Sequence, residues 1–583
     1  MNILNNKCLN IHDLPNEILF IIAKELNIGD VYTLTDIDER FVQIVHDPHY
    51  IRNIHNLDMT TITMKSFFDY NFSMDDRVLS DICGNILPQI HLYITKLIIE
   101  QNSIEHHSIL RDLLINQITY LNIDIQNGII PQLSEITSNI FALILSLTKR
   151  LIHLNVCHLF SHRRTWISIY YLPEISHMFS NLTQLKINVE TFFDCLYLLD
   201  GRLNSLSKLI INVREFELHS KPSYINGWKK LPKLKCFSLT LNTYEQEYDN
   251  QIIALLNRMI NLEELILFLL VRRVDKNYAD GVQIYNDILI HMPRLKKFTF
   301  SINTVAIIEK KKIRLSSNED IENSFIGRGY GQVSSYVFSQ QMKNIGHCHV
   351  YSLPYQFEHF FGLNNSFHFQ DGIFDKVRRL TMNDIACPFE HQFFKLTSHY
   401  FPFIKELTIY NSRPQKDKEH SSTLIIFPHL ILLDLVESHA DYAEQFLLTK
   451  NTHLPCLLDL CITYESLTIL TNNFITDPTR LNCTQIFEPN DQKISEETVG
   501  DKMYFMQEGI VDIIKSEREV LTTLSDGSYF GEICLLTRVK RVASVRCVTY
   551  CNLYSLDAAQ FETILGSYLI ICFFLYSSFP IDH

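Results

Sequence analysis

GSYFGEICLLTRVKRVASV, residues Gly527 to Val545, is the segment from which the rest of the chain can be read. Within it Phe530-Gly531-Glu532-Ile533-Cys534 makes a tight Gly-Glu turn opening a short apolar turn of helix. Arg541 follows, ahead of the small residues Ala543 and Ser544. A glycine at 531 lets the backbone approach a ligand closely, and the N–H groups at a helix start favour negative charge. An arginine facing such a turn pairs with a single phosphate through charge-assisted contacts. Glu532 beside that phosphate would repel it unless it served a neutral hydroxyl, which assigns it to a ribose-like 2′-OH. A ribose with one phosphate anion is a cyclic nucleotide. The expected binding residues are therefore Gly531, Glu532, Ile533, Cys534, Arg541, Val542 and Ala543.

The stretch resembles the phosphate-binding cassette of cyclic-nucleotide-binding domains, especially those of hyperpolarisation-activated and cyclic-nucleotide-gated channels. The likeness extends upstream to Val499–Gly509, similar to the family's early strand-turn-strand, and downstream to Thr549–Leu556, similar to the strand after the cassette, with Phe561 starting a helix. Roughly the last hundred residues are covered. The resemblance implies a β-roll, jelly-roll-like in form. Val542 stands where the family usually has a small hydroxyl residue or alanine, and a hydroxyl there can bond a guanine-type base. Valine therefore favours cAMP, with cGMP as the alternative. Asn490 and Glu497 replace expected glycines, and the lid from Ile564 to Tyr576 is short and apolar, without lysine or arginine. These departures imply weakened binding, and an inactive pocket is the other reading.

At 583 residues, 46% hydrophobic and 20% charged, the chain has ordinary globular usage and length for several domains. A formal charge of -13 without a dense Lys/Arg field argues against a nucleic-acid surface. The run Lys310-Lys311-Lys312-Ile313-Arg314 reads as a solvated loop. Fourteen cysteines without a Cys-x-x-Cys pair, and no signal peptide, point to a reducing, intracellular compartment, cytoplasmic or nuclear. His347-Cys348-His349 cannot gather on one metal ion, because neighbours in a strand point to opposite faces. No run reaches the ~18 apolar residues of a membrane span. Catalytic spacings such as His-Glu-x-x-His or a phosphate-hydrolysing loop are absent from the sequence, so no enzyme is expected.

The chain opens with Leu14-Pro15-Asn16-Glu17-Ile18, where Asp13 suits an N-cap and Pro15 a helix start. Apolar residues including Leu26, Val31, Leu34 and Phe41 then recur at helical spacing, giving a small trihelical unit too small to bury its own leucine stripe. Leu14, Pro15, Glu17 and Ile18, with the later Arg40-Phe41, resemble an F-box motif. The resemblance implies a Skp-type adaptor as partner, joined to a cullin ligase core, with Leu14, Pro15, Glu17, Ile18 and Leu26 in the contact.

From Leu92 to about Leu470 a short x-Leu-x-Ile/Leu motif returns. It reads Lys96–Ile99, Tyr120–Ile123, His153–Val156, Gln184–Ile187, Lys208–Ile211 and Glu264–Leu267, and later Arg379–Met382, Glu406–Ile409, Leu432–Leu435 and Leu457–Leu460. Where units are contiguous the central leucines lie 24 to 33 residues apart. Such units bury their apolar face only by stacking, so a leucine-rich-repeat-like α/β solenoid is expected. The motif lapses between about 301 and 375, which reads as an inserted loop containing Gly327-Arg328-Gly329-Tyr330-Gly331.

The expected architecture is thus a multi-domain α/β chain: a trihelical F-box over 1–55, an irregular solenoid over 56–475, a linker over 476–486, and a cyclic-nucleotide-binding region over 487–583, truncated at both ends. The expected function is a substrate-recognition adaptor of a cullin-type ubiquitin ligase carrying a cAMP-favouring module, with an unidentified protein target on the repeats. The alternatives are a nucleotide-responsive regulator without a ligase role, or a fused gene product with an inactive pocket.

Overall fold

The repeated motif owes its strand conformation to β-branched and leucine residues alternating with polar ones, a pattern that suits a pleated surface buried on one side. The computed structural model describes residues 15–25, 39–45, 47, 56–59, 83–84, 87, 94–100, 108–124, 141–156, 166–169, 181–200, 203–215, 230–246, 248–309, 313–340, 345–417, 423–457, 459–463, 465–466, 469, 485–487, 492–494, 502–508, 510–515, 520–525, 528–531, 540–541, 543–548 and 551–557. They belong to two compact units, Met1–Ser352 and Leu353–His583.

In the first unit α1 (Asn16–Glu25) precedes α2 (Glu39–Val45), and Leu19 and Ala23 of α1 and Phe41 and Ile44 of α2 are buried. A sheet follows: β1 (Asn56–Met59), β2 (Lys96–Glu100), β3 (Tyr120–Asp124), β4 (His153–Val156), β5 (Gln184–Thr191), β6 (Lys208–Glu215), β7 (Cys236–Glu245), β8 (Glu264–Val274) and β9 (Lys297–Ile307). These lie side by side in chain order and run parallel. One register unites the motif: Leu97, Leu121, Leu154, Leu185, Leu209, Phe237 and Leu265 are successive partners, all buried. Between strands the chain returns through helices, among them α3 (Ser108–Asn116) and α4 (Phe192–Leu198). Thr191 caps α4 with a reciprocal box in which the Asp194 carboxylate also accepts the Ile169 N–H at 2.6 Å.

The stretch 301–375 departs from the expected inserted loop. It carries the end of β9, then α5 (Asn318–Phe325), β10 (Val333–Gln340) and β11 (Ile345–Ser352), and later β12 (His359–Leu363). β11 pairs antiparallel with both β9 and β10, closing the parallel ladder. The leucine motif lapses there because an antiparallel hairpin needs no Leu-x-Leu approach to each strand. Gly327, Gly329 and Gly331 all have φ near +75° and lie in the turn between α5 and β10. Lys310 to Lys312 lie outside the described residues. The two compact units meet in sequence at Ser352 and Leu353, inside the stretch 56–475.

The second unit begins with a second parallel sheet: β12, β13 (Arg379–Asn383), β14 (Glu406–Tyr410), β16 (Leu432–Asp434) and β18 (Asp459–Cys461), with β15 (Ile425–Ile426) paired to β17 (Thr452–His453) beside it. Phe360, Leu380, Leu407, Leu433 and Leu460 are successive partners. The motif expected at Leu457–Leu460 is therefore displaced: Leu460, two residues later than expected, takes the leucine position. The strand starts only at Asp459, after the Leu454–Leu457 turn. Helices α6 (His391–Tyr400) and α7 (Ala440–Leu447) supply Phe394, Tyr442 and Phe446 to an aromatic core that also holds Phe360, Phe374 and Phe401. No described helix is long and apolar enough to cross a membrane.

Candidate functional site

The C-terminal strands form two four-stranded antiparallel sheets. One has β19 (Gln485–Phe487), β26 (Cys551–Asp557), β21 (Lys502–Glu508) and β24 (Tyr529–Phe530) in that order; the other has β20 (Gln492–Ile494), β25 (Ser544–Cys547), β22 (Ile510–Ile514) and β23 (Val520–Ser525). Each contributes to one core: Tyr504, Met506 and Phe530 from the first, Val511, Val545 and Cys547 from the second. The Tyr504 and Phe530 rings stack at 5.5 Å. Alternation along β22 and β25 turns Asp512 and Arg546 to the other face, where they lie 3.5 Å apart and Asp512 also accepts the Thr523 hydroxyl at 2.8 Å. β19 begins inside the expected linker, at Gln485, because that segment pairs with β26.

This core fixes both ends of the cassette. Phe530 anchors the exit of β24, and the next residue, Gly531, turns with φ +87°, a conformation glycine adopts without a Cβ clash. Val545 and Cys547 anchor β25, which sets the position of Arg541 just before it. Arg541 is only 7% exposed and its Nη1 donates to the Gly531 carbonyl oxygen at 3.1 Å. The arginine thus faces the glycine turn across ten residues of sequence. Ala543 is half-buried and Ser544 buried beside it. Glu532, Ile533, Cys534 and Val542 lie outside the described residues, as do the lid from Ile564 and the helix expected from Phe561.

At the other end of the chain, Pro15 accepts the Ile18 and Leu19 N–H groups at 3.0 and 3.1 Å, so the proline begins α1 as its fixed φ allows. Pro15, Glu17 and Ile18 are exposed. Leu14 and Leu26 lie outside the described residues. Two further apolar side chains stand in solvent there, Ile21 at 56% and Val42 at 41%, beside Ile18 at 42%. The three-residue spacing of Ile18 and Ile21 is the signal by which the sequence could have pointed to Ile21.

Charged groups that sequence reading passed over cluster in the first unit. Arg273 is buried and bonds Asp249 at 2.6 Å and Gln283 at 2.7 Å, with its guanidinium over the Tyr248 ring; Lys276 takes the second Asp249 oxygen at 2.7 Å. Burial pushes the Asp249 carboxyl upward, but Lys276 and Arg273 outweigh it and hold the group below its ordinary range. In His347-Cys348-His349, the His349 ring nitrogens lie 2.8 Å from the Ser301 hydroxyl and 3.2 Å from the Tyr336 hydroxyl, and Cys348 is buried. Burial lowers the His349 pKa to about 3, so the ring is neutral at physiological pH.

Residues 484–568 match the cyclic nucleotide-binding domain family. The chain is 50% identical over 97 residues to the potassium/sodium hyperpolarization-activated cyclic nucleotide-gated channel 4 of Homo sapiens, covering 16% of this chain and 8% of the channel. To channel 2 of Mus musculus it is again 50% identical over 97 residues, covering 11% of that channel. The chain thus spans about a tenth of the length of these relatives. Among solved structures, it is similar at 27% identity to "Sp-2Cl-cAMPS bound to PKAR CBD2", covering 15% of this chain and 60% of that one, with TM-score 0.14. It is similar at 30% identity to the regulatory domain of Toxoplasma gondii PKA with cAMP, covering 14% and 32%, with TM-score 0.13.

Proposed function

We propose, from the premise that residues 484–568 are a cyclic nucleotide-binding module resembling that of hyperpolarization-activated channels, that this chain is a cAMP-responsive binding protein whose repeat region holds a protein target. One observation supports it above the others: Arg541 is carried by a buried core to within a hydrogen bond of the Gly531 turn, where a phosphate would meet both guanidinium and backbone. Glu532 then receives the ribose hydroxyl, Ile533, Cys534 and Ala543 line the cassette, and Val542 disfavours cGMP by offering no hydroxyl to guanine. The chain is read as a binding protein of the cytoplasm, not as an enzyme.

Titration calorimetry of the full chain with cAMP and cGMP tests this reading. Because a hydrogen bond to a charged group contributes about 1.5 to 3 kcal/mol, Arg541→Ala should weaken cAMP binding roughly ten- to a hundredfold. Equal affinity of wild type and variant would remove the assignment.

A second reading has its own support. The exposed apolar residues Ile18 and Ile21 on α1, the helix opened by Pro15, with Val42 on α2, suit an F-box docking a Skp-type adaptor and cullin core. Likewise, parallel strands in chain order with inward leucines at one register suit a leucine-rich-repeat-like solenoid as the target-holding scaffold. Co-purification of the full chain with a Skp-type adaptor is the expected result. Its failure with intact protein would leave the nucleotide-responsive regulator without a ligase role.

A further inference from the structure

Alternation along β2 to β6 turns the residues between the register leucines to the opposite face of the sheet. The first row there runs Lys96, Tyr120, His153, Gln184 and Lys208, each the register partner of the next. Two residues further along the strands comes a second row, Ile98, Asn122, Asn155, Lys186 and Ile210. Neither row holds a carboxylate, in a chain whose formal charge is -13. Among the described residues no ion pair engages Lys96, Lys186 or Lys208. Lys235, Lys296 and Lys297, at the entries of β7 and β9, are by contrast held by Glu263 or Glu264 at 2.6 to 3.5 Å. Glu264 feels the charge of Lys208 but bonds Lys297 and the Cys236 thiol. The rows are also packed sideways: the Lys96 ammonium lies 4.8 Å over the Tyr120 ring, and the Tyr120 and His153 rings are 5.7 Å apart. Asn122 is 5% exposed, and its Oδ1 and that of its partner Asn155 are buried without a hydrogen-bond partner. A peptide backbone offers the N–H groups that these amide oxygens lack, and side-chain carboxylates offer the counter-charge that the lysines lack.

We propose that this face of β2 to β6 takes an extended acidic segment of the target protein, with its carboxylates on Lys96, Lys186 and Lys208 and its backbone N–H groups on Asn122 and Asn155. The inference rests on the reading that the repeat region holds a protein target, and names the chemistry of that target. Neighbouring strands lie about 4.8 Å apart and an extended chain advances about 3.3 Å per residue, so a segment crossing from β2 to β5 and β6 covers those steps in about four and about six residues. Even spacings put all three carboxylates on one side of the extended segment. The charge of -13 repels such a segment from the chain at large and confines it to a surface where lysines are unpaired.

Fluorescence anisotropy on the full chain decides it, with a fluorescein-labelled peptide carrying three glutamates at those spacings and a counterpart carrying glutamine instead. The glutamate peptide should bind at least about tenfold more tightly, and Lys96→Glu, Lys186→Glu and Lys208→Glu combined should abolish that difference. Raised salt should narrow it as well. Should the triple variant unfold, Lys186→Glu alone, at an exposed position, decides: it should weaken binding of the glutamate peptide about threefold or more and leave the glutamine peptide unchanged. Equal binding of the two peptides, unmoved by the lysine variants, overturns the acidic class while the protein-holding reading stands. Binding of neither peptide removes both for these strands. Tighter binding of a short oligothymidylate of equal charge assigns the face to nucleic acid and overturns the proposal.

Discussion

At the scale of single residues, burial decides what each polar group can do. His349 is neutral because its ring is enclosed, its nitrogens within hydrogen-bond reach of the Ser301 and Tyr336 hydroxyls. Its folded pKa of about 3 lies below the ordinary value of 6.5, so the unfolded chain binds a proton that the folded chain refuses between those limits. Above pH 6.5 there is no penalty. As pH falls from 6.5 towards 3 this residue alone lowers stability by up to about 1.4 kcal/mol per pH unit. Melting temperatures of wild type and His349→Gln at pH 7.5 and 5.0 should show the shallower loss in the variant. Asp194 is fully buried too, and its side-chain oxygens accept the Ile169 and Thr191 N–H groups and the Thr191 hydroxyl. Asp194→Ala leaves those donors buried and unpaired, and should cost about 3 kcal/mol or more in denaturant unfolding.

At the scale of elements, the same hydrophobic residue type carries two consequences. Leu265 sits in the middle of the leucine register with no exposed surface, and Leu265→Ala should destabilise the first unit by about 2 to 5 kcal/mol, read from its thermal transition. Ile18, by contrast, is 42% exposed on α1. Ile18→Asp should leave stability within about 0.5 kcal/mol of wild type while abolishing capture of a Skp-type adaptor. If capture survives with Ile18→Asp and Ile21→Asp combined, the docking surface on α1 is wrong.

Over the whole molecule, two compact units with separate sheets imply two unfolding events in one chain. A ligand that binds only the folded form of one unit raises the stability of that unit, by about 2.7 kcal/mol at a hundredfold excess over Kd. Calorimetric scans should therefore show cAMP moving the transition of Leu353–His583 and leaving that of Met1–Ser352 in place. Movement of the first transition alone would place the ligand elsewhere.

The turn at Gly531 and the repeated strands were legible from residue order, because each rests on local rules. A glycine ahead of a carboxylate and a spaced arginine specify a turn, and leucine alternating with polar residues specifies a half-buried strand wherever it occurs. Pairing partners are not local. That Arg541 returns to the Gly531 carbonyl depends on Phe530 and Val545 meeting in one core from different sheets. The stretch 301–375 looked like a loop because β10 and β11 pair antiparallel, and β12, though parallel to β13, sets Phe360 in place of leucine at the shared register. Leu460 displaced the expected register because the turn before it, and not the leucine pattern, sets where the strand begins. Sequence alone determined the repeated leucine strands and the glycine turn at 531; only the tertiary structure decided which residues meet, since contacts between distant segments are chosen by the burial of the whole chain.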